Sequence, residues 1–271
     1  MQFTARNIIF SSMLLLLPHA ALQANTQLDD ILASPHRDSA NAARDEFRNP
    51  AETLAFFGVT SNMHIAEIWP GRGWYSEILA PWIKQGGGTL IAAGFPASMG
   101  PEYRHTIRQG YATMLESSPE FYDEVVISEF GPGYPTFAAE NSLDAVLTFR
   151  NVHNWAQDDF AEAAFDAFFT ALKPGGVLGV TEHRAHPGSA AAENLKSGYL
   201  TEAYVIELAE KAGFIFDASA EINANPLDTT DHPNGVWSLL PNLRVDEADK
   251  ARYRQIGESD RMTLRFIKPV E

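Results

Sequence analysis

The segment from Ile65 to Tyr75 constrains the fold of this chain more than any other. It reads as an apolar strand carrying an acid, Glu67, followed by a turn with Gly71 and Gly73 and by the start of a helix. Open α/β sheets build ligand pockets at such turns, because glycine lets the backbone approach a ligand and the helix N-terminus presents free N–H groups. The segment therefore predicts a parallel sheet with a binding site at the end of its first strand.

Strands and helices alternate along most of the chain. The pattern predicts strands at 64–68, 89–95, 124–130, 144–152, 177–182, 214–223 and 262–268, and helices at 74–83, 101–115, 158–172 and 201–212. Strands separated by helices of this length pair in parallel with right-handed crossovers. We therefore expect an α/β domain with a doubly wound, mostly parallel sheet.

The remaining segments flank this sheet. Residues 25–58 are polar and alanine-rich, and Asn49 is placed to cap a helix that starts at Pro50, so we expect an N-terminal helical extension before an α/β domain at 59–271. Residues 224–260 are rich in Asn, Asp, Pro and Gly. A loop this long inside a compact domain is typical of a functional lid.

The first 24 residues have the three parts of a secretory signal: a cationic start at Arg6, an apolar run at 8–17, and small-residue cleavage after Ala24. About 20 apolar residues are needed to span a bilayer, and this run is about half that length. We expect a periplasmic or secreted mature protein without stable membrane insertion. A single membrane helix is the alternative.

The charge balance limits the class of partner. The chain has 20 basic and 35 acidic residues, a net charge of −15, and no cysteine. A surface this acidic disfavours nucleic acid and anionic membranes and fits a small-molecule ligand. The lack of cysteine excludes disulfides, thiolate zinc sites and cysteine nucleophiles. The oligomeric state is not determined by these features.

Polar residues follow the predicted fourth and fifth strands. Arg150, Asn151 and His153 come after the strand that begins at Asp144, and His183 follows the next strand along the chain. Ligands sit at this edge of open α/β sheets. His153 has the chemistry of a general base and Asn151 that of a residue that orients a substrate. The alternative is that His153 is an ordinary loop histidine and that its neighbours cap a helix.

Three further residues are predicted to contact a substrate together with His183: Tyr199, and the loop residues Asn225 and His232. Loop packing and Asx turns are the alternative for the last two. His153, His183, His186 and His232 are candidate metal ligands, but their spacing matches no metal signature, so we assign no metal. Residues 257–261 predict a turn with an internal ion pair before the last strand.

These features together resemble the class I methyltransferases that use S-adenosylmethionine, and most closely a bacterial subgroup of exported predicted methyltransferases. The shared motifs lie at 67–75, 149–155, 172–176, 196–199, 223–226 and 257–264. The resemblance implies a Rossmann-like methyltransferase fold with S-adenosylmethionine as the cofactor. It assigns cofactor binding to five residues: Glu67, Gly71, Gly73, Trp74 and Arg150.

The chain departs from the wider family at three places that would hold the cofactor. The family has a glycine where Trp69 stands. It has an acid at the end of the second strand for the ribose hydroxyls, whereas residues 92–96 here contain none. It also places an acid after the third strand, near the adenine amino group, and Glu129 is the only nearby candidate.

The resemblance favours methyl transfer from S-adenosylmethionine to a small acceptor outside the cytoplasm, with His153 as the base. Two alternatives belong to other classes. One is a non-catalytic protein that binds a small ligand on a degenerate methyltransferase fold, which the missing acids favour. The other is a metal-assisted hydrolase built on the histidines.

Overall fold

The computed structural model of the chain describes residues 27–270. The signal peptide expected at residues 1–24 lies outside this range, so cleavage after Ala24 stays a prediction. Within residues 27–270, no helix combines the length and the apolar character needed to cross a bilayer.

A single seven-stranded sheet forms the centre of the domain. Its strands are β1 (His64–Ile68), β2 (Thr89–Gly94), β3 (Val126–Glu129), β4 (Leu143–Phe149), β5 (Leu172–His183), β6 (Ile215–Ala220) and β7 (Arg261–Ile267). They lie in the order β3-β2-β1-β4-β5-β7-β6. All neighbours from β3 to β5 pair in parallel, and β7 runs antiparallel to both β5 and β6. The doubly wound, mostly parallel sheet is confirmed.

Helices cover both faces of this sheet. They are α1 (Ser39–Ala42), α2 (Asp45–Arg48), α3 (Pro50–Phe57), α4 (Ser76–Gly86), α5 (Glu102–Ser117), α6 (Pro119–Tyr122), α7 (Val152–Gln157), α8 (Ala161–Ala171), α9 (Glu202–Lys211) and α10 (Lys250–Ile256). Residues 27–32 are also helical. One apolar layer packs α7, α8 and α9 on one face, and a second packs residues 27–32, α3 and α4 on the other.

Two helices carry a residue whose hydrogen bonding is settled by a distant part of the chain. Pro81 does not break α4, although it cannot donate a hydrogen bond to the carbonyl of Glu77. The ring of His36 bonds that carbonyl instead, at 2.8 Å. Asn49 does not cap α3 with its side chain, because its amide donates to the Ile222 carbonyl at 2.7 Å.

The strand boundaries also need correction. The strand predicted to reach 152 ends at Phe149, because Arg150 takes a left-handed conformation (φ 62°) and α7 begins at Val152. The strand predicted to begin at 177 begins at Leu172, and its pairing with β4 shifts register between Leu143 and Ala145. The segment 224–260 is not an uninterrupted loop, since it contains α10 and two short 3₁₀ turns.

The strand order defines where a ligand site would form. The chain moves outward from β1 through β2 to β3 and then returns to place β4 on the other side of β1. Ligands of open α/β sheets bind outside the carboxyl ends of the strands at such a switch point. A ligand site is therefore expected among the residues that follow β1, β4 and β5.

Candidate functional site

A pocket of about 420 Å³ lies at the carboxyl ends of β1, β4 and β5. One wall comes from the N-terminal extension, through Arg44 and Arg48, and another from the segment 236–242. The pocket brings together seven residues that the sequence predicted for the site: Glu67, Gly71, Trp74, Arg150, Asn151, His153 and His183. The turn after β1 and the residues after β4 therefore face one common space.

Gly73 does not line this pocket, although the sequence placed it beside the cofactor. A Cβ at Gly73 would lie 2.1 Å from the Cε of Met114, whereas one at Gly71 would meet nothing within 4 Å. Both glycines have positive φ, at 64° for Gly71 and 92° for Gly73. Gly71 thus faces open space in the pocket, and Gly73 allows α4 and α5 to pack closely.

Three predicted substrate residues also lie elsewhere. The Tyr199 hydroxyl donates to both carboxylate oxygens of Asp228 at 2.9 Å, and His232 bonds the same carboxylate at 2.8 Å. Asn225 donates to the carbonyls of Ile256 and Glu258. Tyr199 therefore ties the segment 224–260 to the rest of the domain, Asn225 and His232 bond within that segment, and none of the three lines the pocket.

Glu67 is a buried acid that borders the pocket. The Ser76 hydroxyl donates to its carboxylate at 2.6 Å and is itself 3.0 Å from the Tyr111 hydroxyl. Burial raises the pKa of Glu67 to about 7, although the Ser76 hydroxyl opposes the shift. Glu67 is therefore balanced between its charged and neutral forms near neutral pH, and a nearby cation would favour the charged form.

His153 and Glu182 form a buried pair on the opposite wall. The ring Nδ1 of His153 lies 2.9 Å from Glu182 Oε1, and the Glu182 carboxylate also accepts from the backbone amides of His153 and His183. A carboxylate held by two amides fixes the orientation of the imidazole. Because Nδ1 faces Glu182, Nε2 is the ring nitrogen left for a ligand.

His153, Glu182 and His183 bring potential metal-ligating atoms within 4.8 Å of one another. Two features disfavour a metal there. Glu182 already accepts three hydrogen bonds, and burial, reinforced by His153 and Arg150, lowers the pKa of His183 well below its usual value. Neighbouring guanidiniums that oppose a proton on His183 also oppose a metal cation, so the surroundings favour an anion.

Three arginines, Arg44, Arg48 and Arg150, line one end of the pocket, and Arg261 lies behind them beside Arg48 and Arg150; we call these four residues the arginine pole. Three of them pair with Glu258, at 2.7, 3.1 and 3.0 Å for Arg44, Arg48 and Arg261. The pair with Arg261 is the internal ion pair predicted within 257–261. Burial would raise the pKa of Glu258, but Arg48, Arg261 and Arg150 hold it well below its usual range.

The arginine pole keeps hydrogen-bonding capacity that no group in residues 27–270 uses. Arg48 Nη2 is buried without a partner. The Arg150 guanidinium has charged neighbours but no hydrogen-bond acceptor among the described residues, and burial lowers its pKa to about 10 against the opposing pull of Glu258. An anion in the pocket would provide the missing acceptors.

Asn151 and Trp74 fix the walls of the pocket. The Asn151 amide donates to the carbonyl of Ile68 at 2.9 Å and so ties the end of β4 to the end of β1. Trp74 donates to the carbonyl of Asn41 at 2.9 Å, and Arg48 lies 4.5 Å from the centroid of its ring. Trp74 thereby anchors the N-terminal extension over the pocket.

The other half of the sheet edge is filled by an aromatic cluster of Trp69, Phe95, Phe130 and Trp155. The Trp69 indole donates to the carbonyl of Phe130 at 2.8 Å. Its ring centroid lies 4.5 Å from that of Phe95 and 5.5 Å from that of Trp155. Because Phe95 follows β2 and Phe130 follows β3, the indole occupies the space between the ends of these two strands.

Sequence reasoning missed Arg44, Arg48 and Glu182 as site residues. The only signal for the arginines was a pair of cations four residues apart in a chain with net charge −15. Glu182 is the last residue of the predicted strand 177–182, and its pairing with His153 depends on tertiary contacts of β5, which continues to His183.

No protein-family model matches the chain, and no curated protein sequence matches it. Solved structures of the same fold do match. An S-adenosylmethionine-dependent methyltransferase from Aquifex aeolicus is 12% identical with a TM-score of 0.56, and the match covers 90% of this chain and 98% of that one.

Two further matches illustrate the range of this fold. The 4+2 cyclase SpnF is 15% identical with a TM-score of 0.57, over 93% of this chain and 95% of its own. A methyltransferase from Burkholderia thailandensis, solved with S-adenosylhomocysteine, is 13% identical with a TM-score of 0.50, over 96% and 94%. The chain thus has the fold of class I methyltransferases.

The fit of this site to S-adenosylmethionine differs between the two ends of that molecule. Glu67 and the arginine pole suit the ammonium and carboxylate groups of its methionine end. The adenosine end does not fit, because the Trp69 indole fills the space between the ends of β2 and β3 and no acid follows β2. Glu129, the candidate acid after β3, pairs with Arg108 at 2.7 Å.

Proposed function

We propose that this protein binds a small organic anion in the pocket at the switch point, with His153 as the group that accepts a proton from the ligand. The observation that carries the proposal is the arginine pole: Glu258 pairs with three of its four guanidiniums, and the fourth, Arg150, has no hydrogen-bond acceptor in the described part of the chain. The negative net charge of the chain makes this local cationic site selective rather than part of a general basic surface.

The chemistry of the ligand follows from the two walls. Arginine recognises planar anions with paired hydrogen bonds, which suits a carboxylate. His153, oriented by Glu182, would face a second group on the same molecule, a hydroxyl or an amine that can give up a proton. A small hydroxy or amino acid-type anion combines both features within a pocket of about 420 Å³.

Titration calorimetry with succinate, salicylate and inorganic phosphate tests the proposal, alongside native mass spectrometry for an acid that copurifies with the protein. We expect binding of an organic anion and a Kd at least ten-fold higher for Arg150→Gln, since a hydrogen bond to a charged group contributes about 1.5–3 kcal/mol. Arg254→Gln is the matched control, because Arg254 is exposed on α10 outside the pocket.

The proposal is overturned if no organic anion binds or copurifies, or if Arg150→Gln and Arg254→Gln bind the same anion equally well. His153→Gln separates the two roles within the site. It should leave the affinity for a simple carboxylate such as succinate almost unchanged and weaken the binding of salicylate, which carries a hydroxyl.

Methyl transfer from S-adenosylmethionine to the same anion is the second candidate. It is favoured by the fold and by Glu67, whose raised pKa makes it a suitable neighbour for a cationic group beside the open Gly71 turn. The cofactor would supply an electrophilic methyl group. Calorimetric titration of the parent protein with S-adenosylmethionine and S-adenosylhomocysteine tests this candidate directly, and lack of binding to either excludes it.

Export to the periplasm or the medium is part of the same proposal, and residues 1–24 are its support. A protein that binds an organic anion needs no cytoplasmic cofactor at its destination. The intact mass of the protein recovered outside the cytoplasm tests cleavage after Ala24. A product that keeps these residues and stays with the membrane would contradict it.

A further inference from the structure

The aromatic cluster lies where the resemblance to methyltransferases assigns the adenosine. That resemblance puts the ribose at the end of β2 and the adenine beside the residues after β3. The Trp69 indole packs on Phe95, directly after β2, and donates to Phe130, directly after β3. We propose that Trp69 is a built-in occupant of the adenosine subsite, and that it restricts the pocket to ligands without a nucleoside.

The polar and apolar surfaces of the indole are already satisfied within the chain. It has one polar hydrogen, which goes to a backbone carbonyl at 2.8 Å, and its edges and faces meet aromatic rings. Trp69 is only 4% exposed, so little of the ring remains for a ligand to stack on. A side chain that covers these surfaces from within the chain competes with any ligand at a high effective local concentration.

Arg104 closes the remaining face of the indole. Its guanidinium carbon lies 4.9 Å from the centroid of the Trp69 ring and 5.4 Å from that of Phe95. The same guanidinium donates to Asp158 at 2.6 Å, which joins α5 to the segment after α7. Displacing the indole would therefore also require breaking a cation–π contact and an ion pair.

The backbone at Trp69 indicates that this arrangement is specifically maintained. Trp69 has a φ of 50°, in the left-handed region that a bulky residue rarely adopts and that glycine adopts freely. The wider methyltransferase family has glycine at this position. The strain is tolerated here because the indole gains a buried hydrogen bond and aromatic contacts that no smaller side chain would make.

Replacing the indole tests the inference by binding rather than by activity. S-adenosylhomocysteine is titrated calorimetrically into the parent protein, Trp69→Gly and Trp69→Phe. We expect no measurable binding of S-adenosylhomocysteine to the parent or to Trp69→Phe, whose ring still fills the subsite. Trp69→Gly should bind it at least ten-fold more tightly than the detection limit set by the parent. Free indole should compete with S-adenosylhomocysteine for Trp69→Gly, because it replaces the missing side chain.

Three results would overturn the inference. They are micromolar binding of S-adenosylhomocysteine to the parent, equal binding to Trp69→Gly and Trp69→Phe, and a folded Trp69→Gly that binds neither S-adenosylhomocysteine nor indole. If Trp69→Gly does not fold, Trp69→Leu takes its place, since it opens part of the subsite and keeps apolar contacts. The anion titrations that test the proposed function use other ligands and other residues, so either idea can fail alone.

Discussion

The two halves of the sheet's carboxyl edge, on either side of β1, have opposite chemistry. On the β4 and β5 side, Arg48, Arg150 and His153 border an open pocket and keep donors or acceptors available for a ligand. On the β2 and β3 side, Trp69 and its aromatic neighbours are packed and satisfied. The fold provides the same kind of edge on both sides, and the side chains decide which half accepts a ligand.

This difference shows that side chains at the sheet edge, rather than the fold, determine where a ligand can bind. The side chain of Trp69, at the end of β1, fills one half of the edge with packed aromatic rings. The N-terminal extension brings Arg44 and Arg48 to the other half, because Arg44 precedes α2 and Arg48 ends it. Similarity of backbone to methyltransferases therefore does not by itself identify the ligand. Three substitutions test how the two halves differ from each other and from the rest of the domain.

The largest effect is expected for Glu258→Gln, which removes the one carboxylate that pairs with the arginine pole. Breaking a buried ion network by deleting one partner destabilises proteins by about 3–5 kcal/mol. Urea unfolding at pH 7 measures the loss. Because the arginines hold the pKa of Glu258 below its unfolded value, its contribution is present above that value and is lost as pH falls through the lower folded pKa.

The control for Glu258→Gln is Glu221→Gln, whose ion pair with Arg184 is exposed. We expect this surface pair to contribute less than about 1 kcal/mol. If the two variants lose the same stability, Glu258 stabilises the folded protein no more than a surface ion pair does, and the arginine pole does not need its carboxylate.

A gain of stability is expected for Glu67→Gln above neutral pH. Folding raises the pKa of Glu67 from 4.5 to about 7, so the folded state disfavours the charge that the unfolded state carries. The penalty is absent below about pH 4.5 and complete above pH 7, where it corresponds to roughly 3 kcal/mol as an upper value. Urea midpoints at pH 4 and pH 8 measure it.

Glu52→Gln, on the exposed side of α3, is the matched control and should change little at either pH. An equal gain for Glu67→Gln at pH 4 and pH 8 would show that packing rather than charge is responsible. A bound cation that restores the charge on Glu67 in the parent would narrow the difference at pH 8.

The smallest effect is expected for Tyr199→Phe. It removes a buried hydroxyl that donates to Asp228, and a hydrogen bond to a charged group contributes about 1.5–3 kcal/mol. Stability should fall, and the affinity of the pocket for its anion should stay the same because Tyr199 lies outside it. Tyr204→Phe, on α9, is the control. A lower anion affinity for Tyr199→Phe would restore the substrate role predicted from the sequence.

Much of the fold follows from local sequence signals. The glycine turn at 71–73 and the alternation of apolar segments predict a parallel sheet, because they report on backbone geometry and on burial close by in sequence. The direction of β7 and the presence of helix α10 were not predicted. The Asn, Asp and Pro residues around them are typical of turns, and α10 has only seven residues. Their structure is set by packing against β5 and the N-terminal extension.

The site was predictable where strand ends converge. Arg150, Asn151 and His153 follow β4, and topology alone brings them to the mouth of the pocket. Tyr199 and His232 are polar residues of the same kind, but Asp228 satisfies both of them. Which polar group faces a ligand and which faces another side chain depends on three-dimensional partners, and sequence spacing does not contain that information.

The arginine pole has a consequence for how the protein folds. Arg48 and Glu258, which meet at 3.1 Å, are 210 residues apart in sequence. A contact that joins two such distant segments closes a very long loop, so it forms only after most of the chain is ordered. An anion that bridges Arg48 and Arg150 would fasten the first helices onto the finished sheet, and its presence should protect the segment before β1 from proteases. Occupancy of the pocket would then report that folding is complete.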